Sequence, residues 1–325
     1  MKTNTTFHAA SLWRARCTAL HALAAAGLLL GGLGTAASRA DILYVTLGTN
    51  TIEKITSAGS GSAFASSGLN NSYGLAFDSA GNLYAANLNN NTIEKFTPGG
   101  IGSVFAANGL LSSPVGLAFD SAGNLYVANN GTGTIEKFTP GGVGSIFAST
   151  GTNINGLAFD SAGNLYTVNF SSIQKFTPGG VGSTFASTGV SLGNGLAFDS
   201  AGNLYAANQG NNTIEKYTPA GAASLFANTS LNLPYGLAFD SAGNLYAANN
   251  GDNTIEKYTP AGVGSVFANS SNGVSGGPRY IAFTNDAGVP LPLVNQAPEP
   301  ATCALLLLGG LGMLAARRQR HRHQS

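Results

Sequence analysis

Gly74-Leu-Ala-Phe-Asp-Ser-Ala-Gly-Asn-Leu-Tyr84 returns at Gly116, Gly156, Gly195 and Gly236, and a worn copy, Tyr-Ile-Ala-Phe, begins at Tyr280. Successive copies start 42, 40, 39, 41 and 44 residues apart, so the chain is an array of one unit. In the second complete copy, Gly116 to Phe119 reads as a first strand, Asp120-Ser-Ala-Gly-Asn124 as a turn and Leu125 to Asn129 as a second strand. An Asn/Gly loop to Gly133, a third strand from Thr134 to Thr139, a Pro140-Gly-Gly turn and a fourth strand near Ser145 to Ala148 complete the unit. Phe, Tyr, Ile, Val and Thr fill the strands, while Gly, Asn, Asp and Pro punctuate them. Gly or Pro interrupts every window that could hold a long helix.

A period of about 40 to 45 residues with four short strands per unit is the signature of a β-propeller blade. Leu-Tyr strands occur at Leu43, Leu83, Leu125, Leu165, Leu204 and Leu245, and first strands are equally numerous, which predicts six blades. The array begins at Ile42 in a second strand and ends after Phe283 in a first strand, so its two ends must complete one blade between them. The fold class is therefore all-β: a six-bladed β-propeller of four-stranded antiparallel blades, closed by N- and C-terminal strands sharing one blade. Closure of this kind removes the open sheet edges that invite aggregation.

The pattern from Pro114 to Phe138, with its Gly-Leu-Ala-Phe-Asp, Gly-Asn-Leu-Tyr-Val-Ala-Asn and Thr-Ile-x-Lys-Phe elements, resembles the NHL repeat and recurs from Ile42 to about Phe283. That resemblance, shared with the TolB-like propellers, implies six radial blades around a central channel. Where NHL repeats commonly carry Asp after the second strand, this chain has Asn87, Asn129, Asn169, Asn208 and Asn249, with Leu47 in the closing blade. That carboxylate is absent from this chain at these positions.

The two ends differ in composition from the array. Lys2, Arg14 and Arg16 precede an apolar run from Ala19 to Gly34 and then Ser38-Arg39-Ala40, which reads as a secretory signal peptide over residues 1–40, recognised by the Sec export machinery. The propeller is assigned to 41–290 and a linker to 291–297. In 298–325, Pro298, Glu299 and Pro300 precede an apolar run from Ala301 to Ala316 and a cluster beginning Arg317, Arg318. This tail resembles the PEP-CTERM sorting signal, which implies recognition by an exosortase, processing, and delivery to the surface or extracellular polymer of a Gram-negative bacterium. The apolar run would rise about 24 Å as a helix, short of a ~30 Å hydrocarbon core, so it reads as a short transmembrane segment giving transient membrane association. Its Arg cluster should stay cytoplasmic. An ordinary permanent anchor is the competing reading.

Removing the ends changes the charge. Residues 41–296 hold seven Lys and Arg against thirteen Asp and Glu, a net −6, whereas the whole chain carries +1. A phosphate-tracking surface needs a basic stripe, so nucleic acid is not expected as a partner. All four His and both Cys (Cys17, Cys303) fall in the ends, so the propeller has no Ser-His-Asp or Cys-His nucleophile, no imidazole or thiolate metal site and no disulfide.

Carboxylates are the remaining candidate catalysts or ligands. Asp78, Asp120, Asp160, Asp199 and Asp240 each end a first strand before Ser-Ala-Gly-Asn. Oxygen ligands would suit Ca²⁺. Five identical copies argue instead that each Asp caps its own turn, and no metal or other cofactor is assigned. Glu53, Glu94, Glu136, Glu215 and Glu256 precede Lys on third strands and are read as solvated or paired with a neighbouring strand or blade.

Differences among the copies locate individuality. The first-to-second and third-to-fourth turns hardly vary, whereas the fourth-to-first and second-to-third connections differ in every blade and should share one face. These loops either recognise a ligand or simply lack packing constraints. On that face Tyr73, Val115, Asn155, Asn194, Tyr235 and Arg279 precede the first strands and should line the channel mouth, with Asn89, Asn90, Asn211, Asn250 and Asp252 as a rim. Two aromatics, two amides and an Arg suit a sugar or peptide platform, unless Tyr73 and Tyr235 pack between blades. The reading is thus an exported, non-enzymatic binding or scaffolding module of the cell surface or exopolysaccharide matrix. Its partner is expected to be a neutral polysaccharide or a surface protein. The alternative is a metal-dependent lactonase- or lyase-like propeller enzyme.

Overall fold

The computed structural model describes residues 41–151, 153–187, 189–285 and 289–291. Strands form where the repeat supplies runs of aromatic and β-branched residues, and they assemble into six four-stranded antiparallel sheets. The first to fifth blades are continuous in sequence, with innermost strands Ser72–Phe77, Pro114–Phe119, Leu157–Phe159, Gly193–Phe198 and Pro234–Phe239. In the closing blade the innermost strand is Pro278–Asn285, followed outward by Asp41–Leu47, Thr51–Ile55 and Gly61–Ala65. Leu43 pairs with Phe283 and Asp41 with Asn285, so the shared blade read from the sequence is present. The one helical element among the described residues is a 3₁₀ turn, Ser270–Asn272, and none of their helices is long and apolar enough to cross a membrane. The signal peptide and the tail, with Pro298, Glu299, Pro300, Arg317 and Arg318, lie outside the described residues.

Both faces of every blade are covered by a neighbour. The second strands are accordingly buried throughout, as in Leu83–Asn87. Six apolar clusters result, each joining two consecutive blades; one unites Leu43, Val45, Ile281 and Phe283 of the closing blade with Tyr246, Ala248 and Ile255 of the fifth. Tyr84 stands edge-on to Phe105 of its own blade and to Phe119 of the next, both at 5.0 Å between centroids. Such edge-to-face pairs add about 0.5–1.5 kcal/mol beyond area burial.

The innermost strands also meet each other around the channel. Their ladder with the second strand breaks between Ser72 and Leu75, and likewise at Pro114/Leu117, Gly193/Leu196 and Pro234/Leu237. Bulges of this kind re-aim the backbone. Here they turn it to the adjacent blade, where the Gly156 amide donates to the Asn194 carbonyl at 2.8 Å. A Cβ on Gly195 would collide with the Tyr235 carbonyl and the Gly236 backbone, which explains why the repeat opens on glycine.

On the opposite face, each repeat Asp closes its own turn. Asp78 Oδ1 accepts from the Ala80 and Asn82 amides at 3.0 and 2.9 Å, and Oδ2 accepts from Asn82 Nδ2 at 2.8 Å and Tyr84 at 3.3 Å. Lys95 Nζ lies 3.6 Å from the same oxygen and 5.2 Å from the Tyr84 centroid. The arrangement recurs at Asp120, Asp160, Asp199 and Asp240.

The Glu residues require a correction. They are not uniformly solvated: Glu94, Glu136 and Glu256 are buried, and their neighbouring lysines pair with the turn Asp of their own blade. The cause is the fourth-to-first connection folded over the third strand, which brings Gly68 against the Glu94 carboxylate and Asn108 Nδ2 to 3.0 Å from Glu136 Oε1. Burial raises the pKa of all five, and that of Glu256, with the Asp252 charge assisting, reaches about 6.

Two outcomes follow from this packing. Gly195→Ala should lower unfolding stability by about 1–3 kcal/mol in urea titrations, whereas Gly99→Ala, whose nearest neighbour would be Thr97 Oγ1 at 3.8 Å, should change it by less than about 0.5 kcal/mol. Glu256 binds its proton more tightly folded than unfolded, so its contribution is most favourable below about pH 4.5 and is lost as pH rises through about 6. Glu256→Gln should therefore stabilise the protein by about 1–2 kcal/mol at pH 7.5 and leave it unchanged at pH 4. An equal difference at both pH values would exclude the buried charge as its cause.

Candidate functional site

Tyr73, Val115, Asn155, Asn194, Tyr235 and Arg279 hold equivalent places, one per blade, where the innermost strands begin. The carbonyls of Val115, Asn155, Asn194, Tyr235 and Arg279 each face a glycine backbone of the preceding blade, and the Tyr73 carbonyl accepts from Thr46 Oγ1 of the closing blade at 2.7 Å. The six positions thus ring one end of the channel. Their side chains do not act alike.

Val115 is buried wall. Asn155 is committed within the fold, donating to the Gly193 carbonyl at 2.8 Å and accepting from Asn130 Nδ2 at 3.0 Å. The other four join one web. Asn194 Nδ2 donates to Gln209 Oε1 at 3.2 Å, and Gln209 Nε2 donates to the Tyr235 hydroxyl at 3.3 Å. The Tyr235 ring lies 6.3 Å from Tyr73, which lies 6.5 Å from Tyr280. The Arg279 guanidinium stacks 4.2 Å above Tyr73 and donates to Asn71 Oδ1 at 2.7 Å and the Ser72 carbonyl at 3.1 Å. Tyr73, Tyr235 and Arg279 are half-buried.

The rim residues mostly close their own loops. Asn90, Asn211 and Asp252 accept from the hydroxyls of Thr92, Thr213 and Thr254, while Asn89 accepts from Asn71 and Asn250 donates to the Pro278 carbonyl. Sequence reasoning passed over Asn50, Asn91, Asn212 and Asn253, which fasten blade to blade on this face. Each sits at positive φ and accepts the amide of Asn71, Ser113, Leu233 or Gly277 at 2.6–2.8 Å. It also missed Tyr280 and Gln209. The signal for Tyr280 was its place where every other copy has glycine; Gln209 carried none, because its partners lie on two blades.

The Asn that ends these second strands has a physical reason. Asn87, Asn129, Asn208 and Asn249 are buried; each donates to a carbonyl of the fourth-to-first connection and to a Thr hydroxyl, and accepts an amide from that connection. A carboxylate could accept but could not donate.

Chemically, the web offers phenol hydroxyls, amides and one cation. Burial pushes the Tyr235 pKa up, assisted by Tyr73, and burial does the same at Tyr280, so both remain protonated near neutral pH. Among the described residues, no three His, Cys, Asp or Glu side chains converge into a metal-holding group.

The PEP-CTERM protein-sorting motif family matches residues 296–320. The C-terminus carries an exosortase-type sorting signal. It marks the chain for export and membrane-anchored processing in Gram-negative bacteria. No curated protein matches the chain by sequence. Among solved structures, a chain of a nidogen/laminin complex is 22% identical with a TM-score of 0.67, covering 75% of this chain and 98% of its own. Virginiamycin B lyase from Staphylococcus aureus is 17% identical with a TM-score of 0.59, covering 77% and 90%. A putative gluconolactonase is 17% identical with a TM-score of 0.53, covering 61% and 78%. At these identities the likeness is one of fold, and it is to propeller proteins.

The buried Asn pins can be tested directly. Asn129→Asp should destabilise the protein by about 3 kcal/mol at pH 7, where the buried carboxylate cannot donate to the Leu110 carbonyl. Urea midpoints should show a smaller loss at pH 4, where a protonated carboxyl can donate.

Proposed function

We propose that this protein is an exported, non-enzymatic binding module whose ligand face is the ring of variable connections, and whose ligand is a neutral glycan of the extracellular polymer. The observation that carries the reading is the web of Tyr73, Tyr235, Arg279, Gln209 and Asn194 at the channel mouth. Tyrosine rings offer flat apolar faces to sugar C–H groups, and the amides offer both donors and acceptors to hydroxyls. The net −6 of residues 41–296 disfavours acidic polymers.

Two features support binding over catalysis. The propeller contains no His or Cys, and its repeat Asp residues are spent on turn geometry. The lyase neighbour, by contrast, is described as catalytically inactive when a histidine becomes alanine.

A binding screen of a neutral β-glucan, a neutral galactomannan and a polyuronate tests the proposal. Wild type should retain a neutral polymer and not the polyuronate, and Tyr73→Ala with Tyr235→Ala should weaken retention by about tenfold or more with unchanged circular dichroism. Full retention by the double variant would move the site to the Asn-rich loops. A folded wild type that binds no glycan but captures a surface protein would overturn the glycan assignment.

A further inference from the structure

Donors and acceptors are unevenly supplied at the channel mouth, and Arg279 is the cause. Residues 41–296 hold seven cations, of which Lys95, Lys137, Lys175, Lys216 and Lys257 each pair with the Asp of their own turn. Arg279 pairs with no carboxylate among the described residues, and its guanidinium is fixed between neutral groups instead. It stacks on Tyr73, and Nη1 donates to both Asn71 Oδ1 and the Ser72 carbonyl.

The other terminal nitrogen is left open. Nη2 donates to no acceptor among the described residues and is not buried. Gly48 of the closing blade stands beside it without a side chain, since a Cβ there would collide with the Gly276 carbonyl while reaching 3.4 Å from Nη2. Two phenols add further donors. The Tyr73 hydroxyl has no hydrogen-bond partner among the described residues, and the Tyr235 hydroxyl, which accepts from Gln209 Nε2, keeps its own proton to give.

A guanidinium donates and never accepts, so whatever docks on Nη2 must present an acceptor. A sugar hydroxyl also carries a proton, which neither Nη2 nor a donating phenol takes up. A carbonyl oxygen brings two lone pairs and no proton. A carboxylate would match the guanidinium fork too, but it meets the net −6 of residues 41–296. We propose that the glycan bound at this mouth is an acetylated one, a choice that rests on the glycan assignment itself: Arg279 Nη2 donates to the acetyl carbonyl while the sugar ring lies on the tyrosine faces. The tyrosines hold the sugar, and Arg279 selects its substituent.

Affinity electrophoresis in neutral β-glucan and galactomannan, each plain or partially O-acetylated, measures the preference for an acetyl ester. Titration with chitotetraose against cellotetraose measures the same preference for an acetamide. Wild type should bind at least one acetylated form about tenfold more tightly than its plain counterpart, and the pair that shows it identifies ester or acetamide. Arg279→Met keeps an apolar stem over Tyr73 but no donor, and should bring acetylated and plain forms within about twofold of each other. Arg279→Lys, which restores the charge without the planar fork, should recover only part of the preference. A general loosening of the mouth would instead weaken both forms together, so an undiminished ratio in Arg279→Met would overturn the proposal. Equal binding of acetylated and plain forms by wild type, or tighter binding of a polyuronate than of either, would also overturn it. A folded wild type that binds none of these glycans would defeat the glycan assignment along with it.

Discussion

Everything in this propeller depends on how closely six innermost strands approach one another around the channel. The contact is between backbones, as in the Gly156 amide bonded to the Asn194 carbonyl, and it forces a side-chain-free residue at the start of each repeat. It also accompanies the bulges that interrupt the ladders of four blades, as between Ser72 and Leu75. The residue caught in the bulge is thereby turned out of its own sheet, which makes it available at the channel mouth. A packing requirement has produced the ring of positions from which a binding face can be built.

Closure explains why that face is lopsided. The closing blade joins chain segments some 230 residues apart, as in the 234-residue separation of Thr46 and Tyr280, and it does not meet the first blade through glycine. Thr46 substitutes for that contact, and the freed position carries Tyr280, beside Arg279. Tyr73 and Tyr235 belong to the two blades flanking it, so aromatic and cationic groups gather at the seam, while Val115 and Asn155 on the far side are absorbed by packing. The carboxylates of the repeat are kept apart from this region. The acids of the repeat are held on the opposite face by their own turns and lysines, or buried under connections.

Local features of the chain were legible because each answers to a local cause. Turn residues, strand composition, the Asp caps and the shared blade all follow from the spacing of identical copies. The mouth positions were also legible, since they are defined by the repeat. The burial of Glu94, Glu136 and Glu256 was not, because it is imposed by a connection from the preceding blade rather than by strand alternation. The latches from Asn50, Asn91, Asn212 and Asn253 were hidden for the same reason: their partners are on the adjacent blade, about 21 to 24 residues on. Tyr280 was visible as a break in the repeat, but its meaning required knowing that glycine is a backbone-contact residue there.

The central claim is that ligand recognition belongs to the seam-centred variable face and not to the repeat. Hydrogen–deuterium exchange of the propeller with and without a bound neutral polysaccharide measures this most directly. The account expects protection in peptides covering 66–74, 228–236 and 273–280, with no change at the Asp turns such as 78–82. Protection confined to those turns, or to outer strands such as Gly102–Ala106, would contradict it.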